Sequence, residues 1–200
     1  EIAGWAVITN HLVSLGKDFV SINSIAQSMF IIVAFFADGM QKALTAIASN
    51  AIGAKRTETI KKSLISAIKL QVMAGCVFAL PLLIFPTQTA KMFIASEADS
   101  YLVTLAIGAL FGTWLYFLLD GSAWIVAAIL TAGGDTKFLM VANGGLSWIC
   151  AVIPTLYFIT EASNPSTPWM ITLPIYGAII LAVYLLRYRH GKWRHRLVHA

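Results

Sequence analysis

Long apolar segments separated by short polar breaks dominate this 200-residue sequence. A helix needs about 20 apolar residues to cross the roughly 30 Å hydrocarbon layer of a membrane. Gly, Pro and short polar residues mark the breaks as turns. The pattern predicts six spanning helices, approximately at 1–16 (truncated), 20–52, 62–85, 101–131, 137–160 and 169–187. Because Glu1 begins an apolar segment with no basic leader, we expect a piece of a longer protein and not a signal peptide.

The composition excludes the main alternatives to a membrane protein. Hydrophobic residues make up 58% of the chain and charged residues 12%, whereas soluble domains are about one-quarter charged. A soluble domain of this size still exposes about 30% of its surface, and this chain lacks the polar residues to cover it. The composition therefore excludes a soluble enzyme, a disulfide-linked secreted module and a disordered chain, and it predicts an all-α membrane protein.

The Lys and Arg residues indicate how the chain is oriented in the membrane. They concentrate in loop 53–62, at Lys137 and in segment 187–196, whereas acidic residues prevail in the opposite loops. By the positive-inside rule the basic loops and the C-terminus are cytoplasmic, which predicts a multi-pass protein of the cell (inner) membrane with a basic tail at 188–200. Membrane lipids are expected partners and nucleic acid is not. Trp169, at the start of the last segment, is expected in the aromatic belt at the membrane surface.

Ionisable residues within the spans carry most of the functional information. Inserting a charged side chain near the bilayer centre costs about 2.5–3.5 kcal/mol of free energy. Each one therefore needs an interaction that offsets this cost or a function that requires the charge. Such residues are Glu1, Asp38, Lys42 and Asp120. Asp120 is the most informative because it lies deep in an apolar segment with no cation on its own helix. Tyr116 precedes it by four residues, a spacing that places both oxygens on one helical face.

Two interpretations of Asp120 are open. Because hydrocarbon disfavours its charged form, the carboxylate can be neutralised by a proton or by a cation from solution. The hard oxygens of Glu1, Tyr116 and Asp120 suit a hard cation, and no other metal or cofactor is expected. In the alternative, Asp120 pairs with Lys42 and only holds the helices together. We favour the coupling interpretation, since small residues join membrane helices without an ion pair.

Polar residues of the second segment form another candidate surface. Asp38 and Lys42 are four residues apart in the order that favours an ion pair on one helix. They face a wet cavity either as a self-neutralised pair or as a lining that attracts charged substrate. Asn23 and Gln27 are candidate cavity-lining residues too, although small polar side chains are equally common where helices touch.

The residues that follow Asp120 resemble the C-terminal half of MATE (multidrug and toxic compound extrusion) transporters of the NorM-like branch. In that family a membrane Asp is followed by a helix of small residues and by Leu-Arg-Gly-x-Gly-Asp-Thr. Here Asp120 is followed by GSAWIVAAILTAGGDT, with Thr131 and Ala132 in place of the Arg and the first Gly. IASNAIGAKR at 47–56 and YLLRYRHGKW at 184–193 are similar to further family elements.

This resemblance implies a fold and a function. MATE transporters have twelve helices in two lobes, so residues 1–200 are expected to form a single C-terminal lobe that works with an N-terminal lobe of the same protein. The resemblance further implies cation binding at Glu1, Tyr116 and Asp120. It also implies antiport, in which small organic, often cationic, compounds leave as Na⁺ or H⁺ enters, and a protein that is not an enzyme.

Three other functions are open from the sequence. A lipid-linked saccharide flippase has a similar build but a cavity rich in Arg, and only Lys42 is available here. An intramembrane aspartyl protease would use Asp135, but Ala132 breaks the Gly-x-Gly-Asp motif. In the third, the chain is a folded membrane lobe without transport activity of its own.

Overall fold

The computed structural model describes residues 2–94 and 99–191, which are helical and contain no strand. The α-helices are α1 (Ile2–Ser14), α2 (Lys17–Gly53), α3 (Thr57–Ile84), α4 (Pro86–Lys91), α5 (Ser100–Ala132), α6 (Thr136–Ser147), α7 (Ile153–Phe158) and α8 (Leu173–His190). A π-helical segment, Trp148–Val152, joins α6 to α7, and a second one, Pro168–Thr172, leads into α8.

Within the described residues, five continuous helices are long and apolar enough to cross a membrane. They are Lys17–Gly53, Glu58–Ile84, Ser100–Ala132, Thr136–Phe158 and Pro168–His190. The first predicted span, 1–16, contains only α1, which has 13 residues and is therefore about 20 Å long, short of the bilayer core. The all-α membrane fold is confirmed, with a short helix at the position of the span that was predicted to be truncated.

The end of α8 lies beyond the predicted end of the last span at 187. The helix continues to His190, and Gly191 follows it in the left-handed region with φ 75°, a common way for a helix to end. The predicted tail at 188–200 therefore begins inside α8, and its residues 192–200 lie outside the described part of the chain.

Helix α5 is the centre of the fold. It contacts α2, α3, α4, α6 and α8, and it has buried residues on every side, as a helix enclosed by others does. Glycines allow these close approaches. A Cβ atom at Gly112 would lie 2.6 Å from the Cα of Met170, and one at Gly177 would lie 3.1 Å from the ring of Tyr116. Small residues thus bring α8 and the segment before it directly against α5.

Prolines shape the last two spans. Pro154 and Pro174 are each the second residue of an α-helix that directly follows a π-helical segment. Because proline lacks an amide hydrogen and its ring displaces the carbonyl four residues earlier, the preceding turn cannot keep regular α-helical hydrogen bonds. The two π-helical segments therefore mark where these spans depart from a straight α-helix.

Candidate functional site

Asp120 and Tyr116 lie on one face of α5, inside the lobe. Asp120 is 4% exposed and Tyr116 is 1% exposed. Both side chains interact with neighbouring groups. Asp120 lies well away from both ends of the spanning helix Ser100–Ala132, so bulk water does not solvate its carboxyl group. The lobe must supply the interactions that offset the cost of placing a carboxyl there.

An aromatic cluster encloses Tyr116. It consists of Trp5, Phe30, Tyr116, Trp169 and Tyr176. The Tyr116 ring centroid lies 5.1 Å from that of Phe30, 6.3 Å from that of Tyr176 and 6.4 Å from that of Trp5. Trp169 stacks on Trp5 at 6.5 Å. Because the rings come from α1, α2, α5, α8 and the segment before α8, their packing fixes the orientation of Tyr116.

Asn23 is held by this cluster. Its Oδ1 accepts a hydrogen bond of 3.2 Å from Nε1 of Trp169, and the residue is buried. Trp169 is itself only 2% exposed, so its ring packs inside the helix bundle and does not face outward as the ring of an aromatic belt would. A tryptophan can be buried where its N–H has an acceptor, and Asn23 provides one.

Asp38 and Lys42 form an ion pair on the outward face of α2. Lys42 Nζ lies 2.6 Å from Asp38 Oδ2, and the two side chains are 75% and 39% exposed respectively. Lys42 is thus engaged on its own helix, and the interpretation in which it serves as the partner of Asp120 loses its support. Gln27 is also exposed on α2.

The outward faces of α2 and α3 differ in polarity. The exposed residues of α2 include the polar side chains Ser24, Gln27, Ser28, Lys42 and Ser49, interspersed with apolar ones such as Phe35. On α3, every exposed residue from 70 to 84 is apolar. Lipid solvates an apolar face well and a charged one badly. The α3 surface from residue 70 to 84 therefore suits lipid, whereas the polar positions of the α2 surface suit water or another protein segment.

Glu1 lies outside the described residues, so the structure places only Tyr116 and Asp120 of the three cation-binding candidates. Residues 2–94 and 99–191 contain no group of three or more His, Cys, Asp and Glu side chains able to hold a metal ion. A cation at this site would therefore also need hydroxyl, amide or main-chain oxygens as ligands.

A cavity of about 500 Å³ lies beside α5. Its polar and aromatic lining residues are Gln41, Trp124, Thr131, Thr136, Asn143 and Tyr184. Trp124 follows Asp120 by one turn, so the cavity lies along the same side of the helix. None of the residues that line it, all in the described part of the chain, carries a charge. Our sequence reasoning missed this cavity, although the four-residue spacing of Tyr116, Asp120 and Trp124 was a signal for it.

The MatE family profile matches residues 4–156, more than half of the sequence. The chain belongs to the MatE family. Its fold is similar to that of a MOP superfamily transporter from Pyrococcus furiosus Vc1, with a TM-score of 0.78, 19% sequence identity and 98% of this chain covered. That transporter is described by the reverse polarity of its binding pocket, which suggests a different function for it. This MatE chain spans 42% of the length of that protein. No curated protein matches the chain.

An ion pair stabilises the Gly-Gly-Asp-Thr turn of this MatE chain. Asp135 accepts hydrogen bonds of 2.6 Å from Nε and 2.9 Å from Nη2 of Arg187. The guanidinium group also lies 4.5 Å above the ring of Phe138. The turn after α5 is thereby tied to the end of α8, which accounts for Asp135 without protease chemistry. Our sequence reasoning assigned Arg187 only to the basic cytoplasmic block and missed this contact.

Removing either partner of this pair should destabilise the MatE lobe. The side chains of Arg187 and Asp135 are only 20% and 16% exposed, so Arg187→Gln leaves a poorly solvated carboxylate and should lower the free energy of unfolding by about 1.5–3 kcal/mol. Asp135→Asn should have a similar effect. The double variant should lose less free energy of unfolding than the two single variants lose together. Unfolding in detergent measures this cycle. Arg189→Gln, at an exposed position, is the control, and strictly additive losses would contradict the assignment.

Proposed function

We propose that this chain is the second lobe of an antiporter that exports small organic, often cationic, compounds in exchange for Na⁺ or H⁺. It works with an N-terminal lobe of the same protein in the cell (inner) membrane, and its basic loops and C-terminus are cytoplasmic. The observation that carries the proposal is the burial of the Asp120 carboxyl beside Tyr116 within a spanning helix. In a family of transporters, a buried carboxyl of this kind can bind the coupling cation.

The mechanism follows from the cost of that buried carboxyl. Its charge is neutralised when H⁺ binds and is balanced when Na⁺ binds, and the binding free energy differs between the outward-facing and inward-facing arrangements of the two lobes. Only this difference can drive the transport cycle, because equal affinity for both arrangements would shift nothing. The aromatic cluster fixes the ring of Tyr116, which holds its hydroxyl in one position beside the Asp120 helix face.

The polarity of the outward faces supports a position for the N-terminal lobe against the polar face of α2. The face of α2 that carries Gln27 and the Asp38–Lys42 pair borders the space between the lobes, where a substrate passes. The apolar face of α3 borders lipid. Since the exposed pair on α2 carries no net charge, it does not select strongly for the charge of the substrate. The cavity beside α5 has an uncharged lining that mixes polar residues with the apolar and aromatic side chains Leu139, Trp124 and Tyr184, and this mixture suits an organic molecule with both apolar and hydrogen-bonding groups.

Transport in vesicles tests this function. The full-length protein is reconstituted in liposomes, and movement of ethidium, a fluorescent organic cation, is followed under an imposed Na⁺ gradient or pH gradient. We expect movement against the ethidium gradient that stops when an ionophore dissipates the driving gradient. Movement of a labelled lipid-linked saccharide with no response of ethidium would instead support the flippase. Ethidium transport by the 200-residue chain alone would refute the requirement for a second lobe.

Tyr116→Phe should weaken the response to the coupling cation and leave the fold intact. The variant keeps the ring that packs in the aromatic cluster and removes only the hydroxyl oxygen. We expect the cation concentration for half-maximal transport to rise about tenfold, in the range found when supporting groups of a metal site are removed. Transport is measured against Na⁺ concentration and against pH. Tyr101→Phe, at an exposed position on the same helix, is the matched control, and an unchanged half-maximal concentration in Tyr116→Phe would exclude the hydroxyl as a ligand.

A further inference from the structure

A groove with a volume of about 340 Å³ opens between α2 and α3. Its floor consists of Leu44 and Ala67, both less than 5% exposed. Met40, Ile47 and Leu70 form apolar walls. The floor and these walls would solvate a hydrocarbon chain, and the hydroxyl-bearing Ser66 also lines the groove between its two ends.

One end of this groove is polar and basic. Lys62 and Ser63 line it in the second turn of α3. The preceding loop adds the exposed residues Lys55 and Arg56, and the start of α3 adds the exposed Lys61, with Glu58 as the one acidic residue in segment 54–63. An excess of positive charge thus surrounds the end at which α3 begins. This end favours an anionic headgroup over a zwitterionic one, because the excess of Lys and Arg attracts net negative charge.

The length of the groove is similar to the thickness of the hydrocarbon in one membrane leaflet. Lys62 and Leu70 are eight residues apart on α3, which corresponds to about 12 Å along the helix axis. One leaflet contributes about 15 Å of hydrocarbon. The basic end therefore lies at headgroup level when the apolar part follows an acyl chain towards the bilayer centre.

We propose that the groove binds one anionic phospholipid, with its phosphate at Lys62 and Ser63 and an acyl chain along Leu44 and Ala67. A helix from a second copy of the chain does not fit, because a 12 Å length of helix occupies about 900 Å³. The site lies on the opposite side of α2 from the Asp38–Lys42 pair and is independent of the proposed antiport. Its occupant is a structural lipid that joins α2 to α3.

Native mass spectrometry of the full-length protein tests the proposal. The purified protein is mixed with phosphatidylglycerol or with phosphatidylcholine of identical acyl chains, and the bound fraction is measured. We expect phosphatidylglycerol to bind more tightly. Lys62→Gln should weaken its binding about fivefold, the contribution of one lysine near an anionic lipid headgroup. Ala43→Leu, which fills the groove without changing charge, should weaken the binding of both lipids.

Matched controls separate the site from general effects of charge and surface. Lys91→Gln removes a lysine from α4, and Ala46→Leu enlarges an exposed alanine of α2 that does not line the groove. Both should bind phosphatidylglycerol as the unchanged protein does. Equal binding of the two lipids, equal losses in Lys62→Gln and Lys91→Gln, or complete displacement of the lipid by inorganic phosphate would each overturn the proposal. So would a lipid-free dimer as the main species.

Discussion

Replacing Asp120 with asparagine is expected to reduce cation-driven export about tenfold or more while the protein still inserts and folds. Asparagine has nearly the same volume, so it preserves the packing around this 4% exposed position. It can neither bind a proton in the relevant range nor offer a full negative charge to Na⁺. Coupling between two ligands typically amounts to about 1–3 kcal/mol, so ethidium transport driven by a Na⁺ or proton gradient should fall about tenfold or more.

The control for this prediction is Asp99→Asn. Asp99 is an exposed acid just before the same helix, so its replacement changes the net charge equally without touching the lobe interior. Both variants should reach the membrane in equal amounts and melt at similar temperatures. Full gradient-driven transport by Asp120→Asn would refute the role of this carboxyl. Misfolding of Asp120→Asn alone would instead indicate a structural role.

The buried functional candidates could be located from the sequence because the free-energy cost of placing a carboxyl group in lipid does not depend on the fold. A carboxyl deep in an apolar segment is informative wherever the segment packs, and the four-residue spacing of Tyr116 and Asp120 is a property of any helix. The same holds for Asp38 and Lys42, whose ion pair is local to α2. These inferences required only the periodicity of the α-helix and the free-energy cost of placing a charged group in lipid.

Contacts between distant segments could not be inferred in this way. Trp169 lies at the start of an apolar segment, where a belt position is the ordinary expectation, and only Asn23 on α2 shows that the indole has a buried acceptor. The positive-inside rule accounts for Arg187 as part of a basic block, but its guanidinium group also donates a hydrogen bond to Asp135 in the turn after α5. Both contacts depend on how α8 and the π-helical segment before it cross the other helices, which local periodicity does not determine.

The packing of the π-helical segment before α8 against α5 makes Gly112 a position of high expected sensitivity. Gly112→Ala is expected to lower the free energy of unfolding by about 1–3 kcal/mol, the usual cost of overpacking an interior. The new methyl group would collide with the backbone of Trp169 and Met170, and backbone cannot move aside as a flexible side chain can. Displacing this segment would also disturb Asn23, Tyr116 and the cluster around them. Thermal unfolding in detergent, followed by circular dichroism, measures the loss.

Gly144→Ala provides the matched control. Gly144 lies in α6, and a Cβ atom added there would meet nothing within 4 Å. Alanine is about 1 kcal/mol better than glycine in a helix interior, so this variant should be as stable as the unchanged protein or slightly more stable. The difference between the two variants therefore isolates the collision from the gain in helix propensity. If Gly112→Ala were as stable as Gly144→Ala, the segment before α8 would have to lie farther from α5 than the structure places it.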